Sequence, residues 1–249
     1  MTPFEGYRMT RTAALLAAAF LVAAFAPRAS AEEKPKLIKS WDAPNGMKLT
    51  LQATKPQDLE SDLQVMCYFQ HDPKGDVIIS VIGDFDKSLG NPIKNLRDRG
   101  LFVGELGESL LLTPPAGVMK PKNVLLVGYG PKDTFTVDAF KRVGTTAVRN
   151  AVKLGAKKVA FAPAVKDQGV DKFGVDDVER ENVQAIILAY DTEKRLQKAG
   201  LAKEFSIDEF VIEAGPEYFE KTVTGVEKGL ELAKAALAKR DAASLVDKK

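Results

Sequence analysis

His71 is the only histidine of the 249-residue chain, and Cys67 is the only cysteine. Those two counts exclude more chemistry than any other feature. A zinc site of the H-E-x-x-H kind needs two imidazoles at helical spacing, and an intramolecular disulfide needs two thiols. A Ser-His-Asp or Cys-His pair would have to recruit His71, which sits in the polar turn Gln70-His71-Asp72-Pro73-Lys74-Gly75. No G-x-S-x-G or S-x-x-K motif supplies a nucleophile to go with it. His71 therefore reads as a surface turn residue. Cys67 lies in the apolar run Val65-Met66-Cys67-Tyr68-Phe69 and reads as a buried thiol, with no sequence neighbour to lower its pKa.

Gly128-Tyr129-Gly130 follows an apolar run and precedes a helical pattern, which is where a dinucleotide-binding loop would sit. The third glycine position of G-x-G-x-x-G falls on Asp133, however, and an acid there would face a pyrophosphate. A tight strand-to-helix turn that needs two small residues accounts for the pattern without a ligand. Gly128, Tyr129, Gly130 and Lys132 remain the one candidate ligand loop, because ligands of open α/β sheets gather in the crevice at the carboxyl ends of the strands. Asp84, Asp86, Asp176, Asp177, Glu179 and Glu181 could pair in space, although solvated helix faces and turns explain them more simply. No catalytic residue, metal ligand or cofactor is assigned.

The elements that would carry these residues follow from periodicity. Met47 to Ala53, Leu63 to Phe69 and Val77 to Ile82 read as strands of a meandering β region that follows the polar lead Glu32 to Lys36. Asp86 to Arg99 reads as a helix, with Leu89, Ile93 and Leu96 on one face and Gly100 at its C-terminal cap. Ser109 to Thr113 and Asn123 to Val127 are strand-like. A helix from near Thr136 to Leu154 then joins the second of these to the strand Val159 to Ala162, an arrangement that predicts parallel neighbours. A helix from Val175 through Tyr190, a strand at Phe210 to Ile212 and a closing helix from Tyr218 to Lys239 complete the series. The closing helix places Val223, Val226, Leu230, Ala233 and Leu237 on one stripe.

The first 31 residues have the layout of a secretory signal: Arg8 and Arg11, an apolar run from Ala13 to Ala26, then Ala29-Ser30-Ala31. The run of roughly 14 residues is too short for a membrane anchor, which needs about 20. Cleavage after Ala31 would leave a chain starting at Glu32, periplasmic or secreted and without a membrane attachment. It would remove three of the 36 basic and one of the 34 acidic residues and leave 33 of each sign. A neutral chain lacks the general attraction to phosphate backbones, so nucleic acid is not an expected partner.

The stretch from Asp86 to Pro163 resembles the N-terminal domain of the leucyl aminopeptidase family of metallopeptidases. The residues that carry the likeness are Asp86-Lys87-Ser88-Leu89-Gly90, Arg99-Gly100-Leu101-Phe102-Val103-Gly104-Glu105-Leu106-Gly107-Glu108, Lys122-Asn123-Val124-Leu125-Leu126-Val127-Gly128-Tyr129-Gly130 and Phe140-Lys141-Arg142-Val143-Gly144. A weaker likeness runs on to Gly225-Val226-Glu227-Lys228-Gly229. The resemblance implies an α/β fold, three-layer α/β/α with a mixed, mostly parallel sheet, similar to macro domains. In that family the two metal ions and the catalytic residues belong to a C-terminal domain around a motif like N-T-D-A-E-G-R, and no position of this chain matches them. The organisation expected is a signal peptide at 1–31, the aminopeptidase-like N-terminal domain at 32–228, and the end of the closing helix with a charged tail at 229–249. The function expected is that of an exported, non-catalytic module that binds a protein or peptide. The alternatives are a nucleotide-like small molecule in a macro-like crevice, or service as accessory subunit to a separately encoded metalloaminopeptidase. Oligomeric state is left open. Whether the apolar stripe of the closing helix is packed or presented to a partner is also left open.

Overall fold

The computed structural model describes residues 37–240. The predicted signal segment and the charged tail lie outside the described residues. The chain runs β1 (Ile38–Asp42), β2 (Lys48–Ala53), β3 (Leu63–Tyr68), α1 (Ser80–Ser88), α2 (Pro92–Asp98), β4 (Ser109–Leu112), β5 (Val124–Gly128), α3 (Val137–Leu154), β6 (Lys158–Ala162), α4 (Val175–Lys198), β7 (Glu209–Ala214) and α5 (Phe219–Arg240). The sheet order is β1-β2-β7-β6-β3-β5-β4. The two edge pairs are antiparallel, and the four inner ladders are parallel.

The three layers follow from alternation along the inner strands. Val65, Cys67, Leu125 and Val127 face one side and meet α3, α4 and α5 through Phe140, Val143, Ile186 and Val226. Met66, Tyr68, Val124 and Leu126 face the other side and meet α1 and α2 through Ile82, Phe85 and Ile93. The expected α/β/α architecture with a mostly parallel sheet is therefore present.

Four local expectations are corrected. Val77 to Ile82 is not a strand: Val77 and Ile79 are exposed, and α1 starts at Ser80. Ile82, Phe85 and Leu89 continue a helical period backwards, and that longer pattern overrides the β-propensity of Val77-Ile78-Ile79. The single helix expected over 86–99 is two, because Asn91 sits at φ 63° and Pro92 opens α2. The Asp86 carboxylate bridges the break by accepting from Ile93 N–H at 2.8 Å and Lys94 N–H at 2.9 Å. β2 and β3 form no meander, since β7 and β6 lie between them. β5 and β6 are parallel as expected but are not neighbours. β3, buried along its whole length, takes the central place between them, as a strand covered by helices on both faces must. β1 escaped the sequence reading because, as an exposed edge strand, it has no buried alternation.

α5 packs on α4 and does not project, and the boundary drawn at residue 228 falls inside this one helix. All five residues of its predicted stripe are buried. The close approach depends on two glycines one turn apart: a Cβ on Gly225 would lie 2.4 Å from Asp176 O, and one on Gly229 would lie 2.7 Å from Arg180 O. Arg240 fastens the far end by donating to Leu188 O at 2.8 Å. Gly225→Leu should therefore cost about 3 kcal/mol, a fall in Tm of roughly 10 °C, while Lys228→Leu on the exposed face leaves Tm unchanged. Thermal unfolding of both variants checks it.

Candidate functional site

Three neighbouring parallel strands, β2, β7 and β6, end at the same edge of the sheet, and a crevice of about 460 Å³ lies there. Its walls come from the residues just past Ala53, Ala162 and Ala214, from the first turn of α1 on one face and from the first turns of α4 and α5 on the other. Most of the lining is apolar, with Val81, Val165 and Val178 among its residues. Two non-glycine residues of the lining hold left-handed backbone, Ser80 at φ 53° and Ala164 at φ 48°. Each such conformation costs on the order of 1 kcal/mol and persists only where its surroundings enforce it.

Two carboxyl groups line this crevice from opposite faces of the sheet, Glu213 near the end of β7 on the face of Gln64 and Glu179 in the second turn of α4 on the face of Cys67 and Tyr129. They are 7% and 2% exposed. Gln64 of β3 reaches across the whole width of β6 to donate to Glu213 Oε2 at 2.7 Å. The small β6 residues Ala160 and Ala162 leave room for that span. Glu213 Oε1 and Glu179 Oε2 have no hydrogen-bond partner. Burial pushes the Glu213 carboxyl up from 4.5 to about 8, the Gln64 amide opposing it. Burial does the same to Glu179, also to about 8; the Asn182 amide beside it opposes the shift without closing a hydrogen bond of good geometry. Burial thus favours the protonated form of both groups, in which a carboxyl can donate as well as accept.

The loop singled out in the sequence lies elsewhere. None of Gly128, Tyr129, Gly130 and Lys132 lines the crevice. Gly128 serves packing: a Cβ there would stand 1.9 Å from Glu105 O, so the 104–108 turn can cross it only because the side chain is missing. Glu108 fixes that turn by accepting from Gly104 N–H at 2.6 Å and Glu105 N–H at 2.9 Å. Tyr129 is buried among Phe69, Phe135 and Phe140. Lys132 is partly exposed, with its ammonium 6.0 Å from the Phe69 ring.

His71 is half-buried and binds Asp76 Oδ2 at 3.0 Å, the same oxygen that Arg97 Nε reaches at 2.8 Å. Burial alone would raise the Asp76 carboxyl, but the Arg97 guanidinium and the hydrogen bonds from Asp72 N–H and His71 hold it down at about 2. Cys67 is a free, buried thiol. Of the six carboxylates considered for pairing, Asp86 caps α2, Asp84 is exposed, and Asp177 and Glu181 pair with Arg180. Glu179 alone enters the crevice as an unpaired acid. Asp176 lies in a separate shallow pocket. Among the described residues no group of three or more His, Cys, Asp or Glu side chains could hold a metal ion. Sequence reasoning missed Glu213. Its one signal was an acid directly after Phe210-Val211-Ile212, at a position that a strand buried on both faces fills with an apolar residue.

The fold is similar to known structures. Against a tomato leucine aminopeptidase the chain gives a TM-score of 0.58 at 17% identity, over 82% of this chain and 39% of that one. Against an Oceanobacillus iheyensis macrodomain solved with ADP the score is 0.54 at 14% identity, over 81% of this chain and 100% of that one. In sequence, it is 29% identical over 161 residues to a probable cytosol aminopeptidase of Persephonella marina, covering 64% of this chain and 31% of that protein. It is 30% identical over 132 residues to one of Acidobacterium capsulatum, covering 50% and 26%. The chain thus spans about a third or less of the length of these two relatives. Residues 71–197 match the family described as cytosol aminopeptidase family, N-terminal domain. By that match, over half of its length, this chain belongs to the cytosol aminopeptidase family through its N-terminal domain.

Proposed function

We propose that the chain works outside the cytoplasm as a non-catalytic binding domain, with a small molecule as its ligand in the crevice at the ends of β2, β7 and β6. The observation that carries this reading is the pair of buried carboxyl groups, each with an unpartnered oxygen, in the wall of an otherwise mostly apolar cavity. A buried polar atom without a partner costs roughly 1–3 kcal/mol, and a ligand that satisfies it offsets that cost. The two strained residues at the same rim add support, because such conformations concentrate at binding sites. A protein partner is less well supported, since α4 covers the stripe of α5 that would have marked its surface. Export rests on the basic, apolar and small-residue order of residues 1–31. The absence of catalysis rests on the family match, which falls within the N-terminal domain, whereas the dimetal chemistry that the resemblance implies belongs to the other domain.

Expression with the leader intact should yield a chain whose mass and N-terminal sequence begin at Glu32; a product retaining residues 1–31 would refute export. The purified protein with leucine amide and Mn²⁺ or Zn²⁺ should release no ammonia, and release abolished by a chelator would refute the non-catalytic reading.

The buried acids also set a pH dependence. A carboxyl whose folded-state value is raised holds a proton that the unfolded chain has already released, so stability falls as pH rises from about 4.5 towards about 8. Glu213→Gln should match the parent in Tm at pH 5 and exceed it by roughly 5 °C at pH 8. Equal Tm values at both pH values would show that the acid is not protonated in the folded state.

A further inference from the structure

We infer that the ligand of this crevice is an uncharged, mostly apolar molecule ending in a hydroxyl, which hydrogen-bonds Glu179 at the edge of a buried cluster of neutral polar side chains, Asn182, Tyr129 and Cys67. The inference rests on the reading of the crevice as a ligand site and adds the chemistry of the ligand's inner end. Glu213 lies on the other face of the sheet, with Gln64, and takes no part in it.

The cluster lies between α4 and the sheet. Glu179, Asn182, Tyr129 and Cys67 are all 2% exposed or less. Cys67 and Tyr129 stand beside one another and beside Glu179, and Asn182 is the one side chain opposing the burial of the Glu179 charge. Four polar atoms of this cluster have no partner: Glu179 Oε2, Asn182 Nδ2 and Oδ1, and the Tyr129 hydroxyl. Together they require a group that both donates and accepts, because Asn182 Oδ1 needs a donor and Asn182 Nδ2 an acceptor. A hydroxyl does both. An ammonium only donates and a carboxylate only accepts, and either brings into the dry layer a charge that no neighbour offsets. Glu179 alone of the four residues lines the crevice, so the ligand meets the cluster there. Water, which also donates and accepts, carries the network on to the amide and the phenol.

The rest of the lining favours neither sign of charge. The first turns of α1, α4 and α5 would attract an anion, yet each already has acids of the chain beside it. Asp167 accepts from Val81 N–H and the Ser80 hydroxyl at the start of α1. Asp176 and Asp177 lie in the first turn of α4, Glu217 lies just ahead of α5, and Glu220 lies in its first turn. Of the two lysines of the lining, Lys166 is engaged by Asp171 at 3.1 Å and Lys55 is exposed. Val81, Ala162, Val165, Val178 and Ala214 line the space among these groups and suit an alkyl or ring body.

The test is an NMR titration of the purified, isotope-labelled protein with 3-cyclohexylpropanol, with the amine and the carboxylate of the same skeleton, and with ADP-ribose. The expected result is saturable binding of the alcohol, about tenfold tighter than the amine or the carboxylate, with shifts in the Asn182 side-chain amide and in the backbone amides of 175–182 and 213–218. Glu179→Gln keeps the shape and neutrality of the acid and should bind the alcohol within about threefold of the parent, whereas Glu179→Leu should weaken it about tenfold. Both variants are first shown to be folded by their Tm. If either does not fold, the order of the probes on the parent protein decides alone. The inference of an uncharged ligand is overturned, and the crevice reading kept, if the amine, the carboxylate or ADP-ribose binds as well as the alcohol with shifts at those amides. The same holds if Glu179→Gln loses the alcohol or Glu179→Leu retains it. If none of the four probes shifts those segments, both readings fall.

Discussion

Burial of a strand on both faces is the constraint on which this structure depends. The inner strands β3 and β5 are covered by α1 and α2 on one side and by helices of the other layer on the other side, so their side chains have almost no route to water. Their sequences, LQVMCY and VLLVG, are apolar in both registers apart from Gln64. Gln64 is tolerated because its amide finds acceptors at Val65 O and Glu213 Oε2. The exception at β3 thus exists because of the exception at β7, and the two are joined over the alanines of β6. Polar groups that survive such burial mark the places where the local rule has been broken for a reason.

That reasoning separates the crevice from the glycine turn. Both lie at carboxyl ends of parallel strands, where ligands of α/β sheets gather. At Gly128 the missing side chain is used by the protein itself, since the 104–108 turn crosses there within contact distance. Other residues of the chain have this structural character too: Asp86 caps α2, Glu108 ties its turn, and Gly225 and Gly229 seat α5 on α4. The crevice, by contrast, contains groups that no packing argument requires, two half-satisfied acids and two residues in left-handed backbone.

The likeness to a macrodomain solved with ADP is a likeness of fold at 14% identity. The lining of the crevice carries Lys55 and Lys166 as well as Asp167, Glu179, Glu213 and Glu217. Fold similarity and ligand class are therefore decided by different residues, the first by the buried strands and the second by a few side chains at their ends.

Periodicity was enough to place the layers. The stripe from Val223 to Leu237, the strand Leu63 to Phe69 and the helix after Thr136 could be read from spacing, because burial of one face imposes a period on a single element. The counts of histidine and cysteine settled which chemistries were out of reach. Spacing failed where the competing signals were local, as at Val77 to Ile82, or where the element has no buried face, as in β1. It also could not see that β3 would enter between β5 and β6, since strand order is fixed by which face each neighbour can cover. Glu179 and Glu213 are 34 positions apart and carry no shared motif. Only the tertiary structure, by stopping three strands at one edge and laying α4 and α5 beside them, brings the two acids to the lining of one crevice and buries them there, because burial depends on which elements cover a residue and not on its neighbours in sequence.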